Sequence, residues 1–284
     1  MLQNSDIKNI LTAFLFRNKI ILTNQDQAVI PNTVNLHWWK INRNIQNVGD
    51  MLSVIVTNYM IQKNNICNQN IPTRHLYAIG SIIDGGYQNA TIWGSGLLRG
   101  NQNYWWRHFR KLDVRCVRGP ETRNGLLKNG YSCPEIYGDP AVLMPLIYDP
   151  SQAETQKTPY LVIPHYSYPI EADHILSPLT SDWQDFINKI ANAKLVISSS
   201  LHGIILAEAY GVPAILLNSH NMNLFKYRDY YFSTERYTFP IVKSVEEALN
   251  IPLPRVPDLK SLQNNLLNSF PIDLWKENIG DINK

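Results

Sequence analysis

Leu195-Val196-Ile197-Ser198-Ser199-Ser200-Leu201-His202-Gly203 continues through residues 204–210 and stops at Gly211-Val212-Pro213-Ala214. An apolar run of strand length leads through three small hydroxyl residues straight into an apolar helix, which Gly211 ends and Pro213 cannot extend. Such a junction aims the helix's unpaired first-turn amides and the positive end of its dipole out of the end of the sheet, where an anion fits. His202 falls in the first turn and can face the same anion, while Gly203 leaves room for close approach. The segment also reads as an ordinary capped helix with a packed histidine, so the rest of the chain must decide.

Working outward, further short apolar runs lie at residues 76–83, 91–97, 113–118, 160–165 and 213–217. Most are continuous rather than alternating, as strands covered on both faces of a parallel sheet should be. Helices are expected between them, over 120–130 with Pro120 in the first turn, over 183–191 after Ser181-Asp182, and over 201–210. Residues 144–159, with Pro145, Pro150 and Pro159, interrupt the alternation and read as a linker. The expected fold class is therefore α/β, with two Rossmann-like domains, 1–150 and 151–284, facing a cleft that binds ligands at the carboxyl ends of the strands. An amphipathic segment over 259–270 is expected to pack back on the body.

Composition narrows the function classes. A hydrophobic share of 44% against 17% charged residues builds a core, and a net charge of +3 is too small for a general nucleic-acid binder, so any basic site must be local. No nucleic-acid partner is expected. The N-terminus has no cationic run followed by an apolar stretch, and no 18-residue apolar segment is present, so a cytoplasmic location is expected. Cys67, Cys116 and Cys133 are too few and too scattered for a disulfide framework or a zinc site, and the seven histidines show no paired metal-ligand spacing. No metal and no cofactor are expected.

Other segments carry candidate chemistry. Arg118 closes an apolar run in Val117-Arg118-Gly119-Pro120-Glu121-Thr122, and its planar fork suits carboxylate or phosphate. Asp50, in Asn47-Val48-Gly49-Asp50, is placed to cap the helix beginning at Met51, with Asn47 and Gly49 shaping the loop. Gly94-Ser95-Gly96 is a glycine-rich turn without the spacing of a dinucleotide fingerprint. His165 closes a strand in Ile163-Pro164-His165-Tyr166, and Lys226-Tyr227-Arg228-Asp229-Tyr230 supplies further cations.

In this order, and together with Gly138-Asp139-Pro140, these segments resemble the polysaccharide pyruvyltransferase family over residues 47–231. The resemblance implies transfer of the enolpyruvyl unit of phosphoenolpyruvate onto sugar hydroxyls as a ketal, on a fold like that of two-domain, double-Rossmann (GT-B-like) glycosyltransferases. It implies a donor site built from Arg118, His202 and Lys226, with Ser200, Leu201 and Gly203 at the helix start. Some members carry Arg where this chain has Ser200, and Arg228 is the substitute cation. His202 is expected to protonate the donor's methylene carbon and His165 or Asp50 to act as base, since an unperturbed imidazole titrates near ~6.5. The acceptor is expected on Asn47, Gly49, Ser95, Trp105 and Trp106. The aromatic and basic run 103–111 is expected at the cleft mouth, presenting the enzyme to a lipid-linked oligosaccharide at the inner face of the plasma membrane. Two other functions fit the same residues: a metal-independent glycosyltransferase using a nucleotide sugar, and a non-enzymatic module binding an anionic glycan or nucleotide.

Overall fold

A computed structural model describes residues 26–27, 34–39, 46–66, 74–85, 89–100, 110–150 and 157–275. Cys67, Trp105 and Trp106, and with them most of the run 103–111, lie outside the described residues. Among the described residues, nine strands form two sheets. The first takes β1 (Asp26–Gln27), β2 (Val34–His37), β3 (Arg74–Tyr77), β4 (Ala90–Trp93) and β5 (Leu112–Cys116). The second takes β6 (Leu161–Ile163), β7 (Val196–Ser198), β8 (Ala214–Leu217) and β9 (Ile241–Val242). All neighbours pair in parallel except β1 with β2.

The helices are α1 (Val48–Lys63), α2 (Pro120–Lys128), α3 (Trp183–Ala191), α4 (Leu201–Ala209), α5 (Phe225–Ser233), α6 (Val245–Leu249) and α7 (Lys260–Ser269). Strands β4, β6, β7 and β8 are buried at every residue, as continuous apolar runs predict. Strand β5 alternates instead, with Val114 and Cys116 buried and Asp113 exposed. Its half-exposed Arg115 bridges Asp113 and Asp273 on the outside.

Strand order in each sheet follows the chain, so neither sheet has the internal reversal at which doubly wound sheets bind ligands. The register instead lines up the carboxyl ends: His37 with Tyr77 in the first sheet, and Ile163 with Ser198 and Leu216 in the second. A crevice therefore forms where the two rows of strand ends meet. One hydrophobic cluster runs from Leu36 and Leu76 through Val142 to Val196 and Leu216, joining both sheets. Met144, at the start of the expected linker, is fully buried in that cluster, within a 3-10 helix over Pro140–Leu146. The tail packs back as expected: Trp93 Nε1 donates to the Leu266 carbonyl at 3.0 Å, and Phe270 meets the Trp93 ring edge-on at 4.9 Å.

Candidate functional site

A cavity of about 430 Å³ opens at the joined strand ends. Its first wall comes from His37 after β2, Gly80, Ser81 and Ile82 after β3, Leu98 after β4 and Arg118 after β5, with Asn47 and Asp50 from the start of α1. The second wall comes from His165 and Tyr166 after β6, Ser200, Leu201 and His202 after β7, and Lys226 on α5. Trp39, 40% exposed, stands among the lining residues at the mouth.

The expected cap is corrected. Asn47 caps α1, accepting from Gly49 N at 3.1 Å, and helix α1 begins three residues earlier than Met51. Asn47 wins because its side chain reaches the orphan amide two residues on, the geometry of an Asx cap. That frees the Asp50 carboxyl for the cavity, where it approaches Gly80. Gly80 holds φ at +108°, and a side chain there would crowd Asp50 Oδ1.

The β7–α4 turn is organised by Ser198, whose Oγ donates to the Ile163 or Ser200 carbonyl and accepts from Ser200 N. Ser199 Oγ accepts from His165 N at 2.8 Å and so fixes the end of β6. Ser200 is the N-cap residue by position, makes no side-chain cap bond and lines the cavity. Gly203 is also corrected. A Cβ there would strike Ser198 Oγ and Ile163, so this glycine serves helix-on-strand packing and not the approach of an anion.

His202 reaches across to α1, where a Cβ on Gly49 would overlap its ring. Its Nε2 lies 3.8 Å from Asp139 Oδ2, and both atoms are buried without a hydrogen-bond partner among the described residues. Asp139 precedes the 3-10 helix Pro140–Leu146 and caps it through Oδ1, which accepts from Ala141 N at 3.0 Å.

Two cations face these groups. Arg118, 1% exposed, donates to Asp229 Oδ2 at 2.9 Å, Ser81 Oγ at 2.7 Å and the Leu97 carbonyl at 2.8 Å. Three of the five guanidinium N–H groups are thus engaged with described residues, leaving two without a described partner. Lys226 makes no ion pair with a described residue, and its Nζ sits 5.0 Å from the Tyr227 ring centre. Arg228, expected as a substitute cation, is exposed on the other side of α5 and does not line the cavity. Two residues apart on a helix means about 200° around it.

Burial and mutual charge set the protonation of the cavity's groups. Burial, then Lys226 and Arg118, push His202 down to about 3, and burial with Lys226 takes His165 to about 4. Burial pushes Asp50 up to about 7 against the pull of Lys226, with Asp139 adding to the rise. Burial takes Asp139 to about 6, with Ala141 N and Arg118 opposing. Burial and Arg118 bring Lys226 down to about 8, with Asp50 opposing. At neutral pH the imidazoles are neutral, so the expectation of an unperturbed histidine does not hold, and Asp50 is the group at its midpoint.

The sequence assigned no role to Asp139, Asp229, His37 or Trp39. Ser95, expected at the acceptor, is fully buried with its Oγ unpartnered and does not line the cavity. Helix α5, which carries Lys226, is held by Asp229 on Arg118 and by a second buried group, Glu208, which accepts from Tyr230 Oη at 2.7 Å and from Arg236 at 2.6 and 2.7 Å. Glu208→Ala strands the Arg236 charge and the Tyr230 hydroxyl, and is expected to cost about 3–5 kcal/mol in urea unfolding with an unchanged m value.

The sequence profile described as polysaccharide pyruvyl transferase matches residues 47–221, more than half of the chain. The match takes in Asp50, Arg118, Asp139, His165 and His202 and stops before Lys226. Among curated relatives, "Uncharacterized protein L143" of Acanthamoeba polyphaga mimivirus is 26% identical over 190 residues, 59% of this chain and 62% of that one. "Succinoglycan biosynthesis protein ExoV" of Rhizobium meliloti (strain 1021) is 31% identical over 135 residues, 43% of this chain and 40% of that one. The chain thus spans less than two thirds of either relative. A Klebsiella pneumoniae crystal structure of a functionally uncharacterized protein aligns over 86% of this chain at 16% identity, with a TM-score of 0.46.

Proposed function

The chain belongs to the polysaccharide pyruvyl transferase family, and on that premise we propose that it moves the enolpyruvyl unit of phosphoenolpyruvate onto two hydroxyls of one sugar, forming a pyruvate ketal and releasing phosphate. The observation that carries this reading is the cavity's charge pattern. Lys226 without an acidic partner, a guanidinium with spare donors and two histidines held neutral suit a small ligand with an anion at each end. The start of α4 adds its dipole to the same place. The acceptor half, 1–150, and the donor half, 151–284, would then meet in the double-Rossmann manner of GT-B glycosyltransferases.

The protonation pattern exchanges the roles expected for histidine and carboxylate. Neutral His202 takes the proton of the first sugar hydroxyl as its oxygen bonds to C2 of the donor, while the Asp50 carboxyl gives its proton to C3. The C2–O bond to phosphate then breaks, the departing oxygen taking the proton from His202. The second hydroxyl bonds to C2 and returns a proton to Asp50. Both groups end as they began. The donor's negative charges would oppose the part of the His202 suppression that comes from Lys226 and Arg118, the larger part being burial. The acceptor is a saccharide, on this reading a lipid-linked oligosaccharide offered at the membrane surface, with Trp39 at the mouth able to stack on a sugar ring. No helix among the described residues is long and apolar enough to cross a membrane.

Incubation with phosphoenolpyruvate and candidate oligosaccharides, followed by phosphate assay and mass spectrometry, tests this. The expected result is acceptor-dependent phosphate release and an acceptor carrying a pyruvyl ketal. Turnover of a nucleotide sugar instead would replace the reading with glycosyl transfer, and ligand binding with no turnover would replace it with a binding module. In active protein kcat/KM is expected to fall as pH rises through about 7, where Asp50 loses its proton. Asp50→Asn should abolish that limb and lower turnover by at least about 10²-fold. A limb that survives the substitution removes Asp50 as the acid.

A further inference from the structure

Asp139 and His202 are two orphaned polar groups that face each other. Oδ2 and Nε2 are 3.8 Å apart, both buried, and neither has a hydrogen-bond partner among the described residues. A buried polar atom without a partner costs about 1–3 kcal/mol, so two adjoining ones mark a place where stability yields to another demand. Neither group can drift away. The carboxyl is fixed through Oδ1 by Ala141 N, and the ring lies against Gly49 on α1. An approach of about 1 Å turns the gap into a charge-assisted hydrogen bond, and such bonds are often long before substrate binds. With Nε2 buried against Asp139, Nδ1, which lies beside Gly49 on α1 and is not among the buried unpartnered atoms, is the ring nitrogen left for the cavity that His202 lines. Asp50 from α1, Arg118 after β5 with its partner Asp229, and Lys226 on α5 are the other charged groups around the pair.

We infer that Asp139 is the positioning residue of His202: its carboxylate accepts the Nε2 proton and so fixes the tautomer whose Nδ1 lone pair points into the cavity. When Nδ1 takes up a proton, the same carboxylate steadies the imidazolium. The catalytic use of this lone pair rests on the reading given above, whereas the tautomer is a property of the unliganded protein. Gly138-Asp139-Pro140 is one of the segments that carry the family resemblance, but the resemblance gave Asp139 no role.

The experiment is nitrogen-15 NMR of the histidine rings in the full chain near neutral pH, with the His202 signals identified by their loss in His202→Gln. The wild type is expected to show a protonated Nε2 and a bare Nδ1. Asp139→Asn keeps the Oδ1 cap on Ala141 N but turns an amide NH₂ toward Nε2, so the His202 proton should move to Nδ1. Turnover should then fall about 10²- to 10⁴-fold with the donor KM held within a few-fold, because the base is wrongly protonated and the cations are untouched. A wild-type ring protonated at Nδ1, or an Asn variant with the wild-type tautomer, overturns the inference. If Asp139→Asn does not fold, the wild-type spectrum alone decides. If the tautomers behave as stated but no protein turns over phosphoenolpyruvate, the donor assignment fails and the pairing stands.

Discussion

His202→Ala is expected to fold as the wild type does and to lose turnover by roughly 10²- to 10⁴-fold, the share of a positioned acid or base. The fold should tolerate the change for a reason visible around the ring. The deleted imidazole removes a buried nitrogen that has no hydrogen-bond partner, so the lost packing is partly offset by the loss of an unsatisfied group. The core of α4 on the strand side, at Gly203, Ile204 and Ile205, is untouched. Melting temperature should therefore stay within a few degrees while acceptor-dependent phosphate release collapses. Near-wild-type turnover would leave His202 as a packing ring between α1 and α4, and the proton transfers proposed above would lose their base.

Why some of this was legible in the sequence and some was not follows from the range of each interaction. The β7–α4 junction is local. Its apolar run, hydroxyl turn and glycine stop all lie within 20 residues, and the helix forms within a residue of where they place it. The α1 start is local too, yet the letters offer two acids or amides that cap well, and only the backbone shows Asn47 taking the amide and Asp50 going free. The role of Arg118 is not local. Its fork is visible in the sequence, but the Asp229 that occupies part of it stands 111 positions later and becomes a neighbour only when α5 folds over the end of β5. Asp139 was invisible for the same reason, since a cap before proline gives no hint that its second oxygen will face a histidine from the other sheet. Trp39, with no aromatic cluster beyond its neighbour Trp38 to announce it, lines the cavity, while Trp105 and Trp106, to which aromatic density pointed for the acceptor, lie outside the described residues.

Gly49→Ala is expected to silence the protein while barely unfolding it. Position 49 is the second residue of α1 and carries no positive φ, so alanine fits the backbone and gains about 1 kcal/mol of helix propensity over glycine. The added methyl, however, would overlap the Cβ, Cγ and Nδ1 of His202. Either the imidazole turns away or α1 lifts from α4, and overpacking of this kind costs about 1–3 kcal/mol. The two terms nearly cancel, so stability should drop by no more than about 2 kcal/mol. Turnover is more sensitive, because a shift of about 1 Å in a reacting group lowers rate by about 10²-fold. The donor KM should hold within a few-fold, since Lys226 and Arg118 are not touched by the methyl. Gly203→Ala supplies the contrast: its methyl meets Ser198 Oγ and Ile163 on the strand side, so it should lower the unfolding midpoint and spare the turnover of the protein that remains folded. Wild-type turnover in Gly49→Ala, with a raised melting temperature, would show that the ring is free to move and that its placement against α1 does not matter.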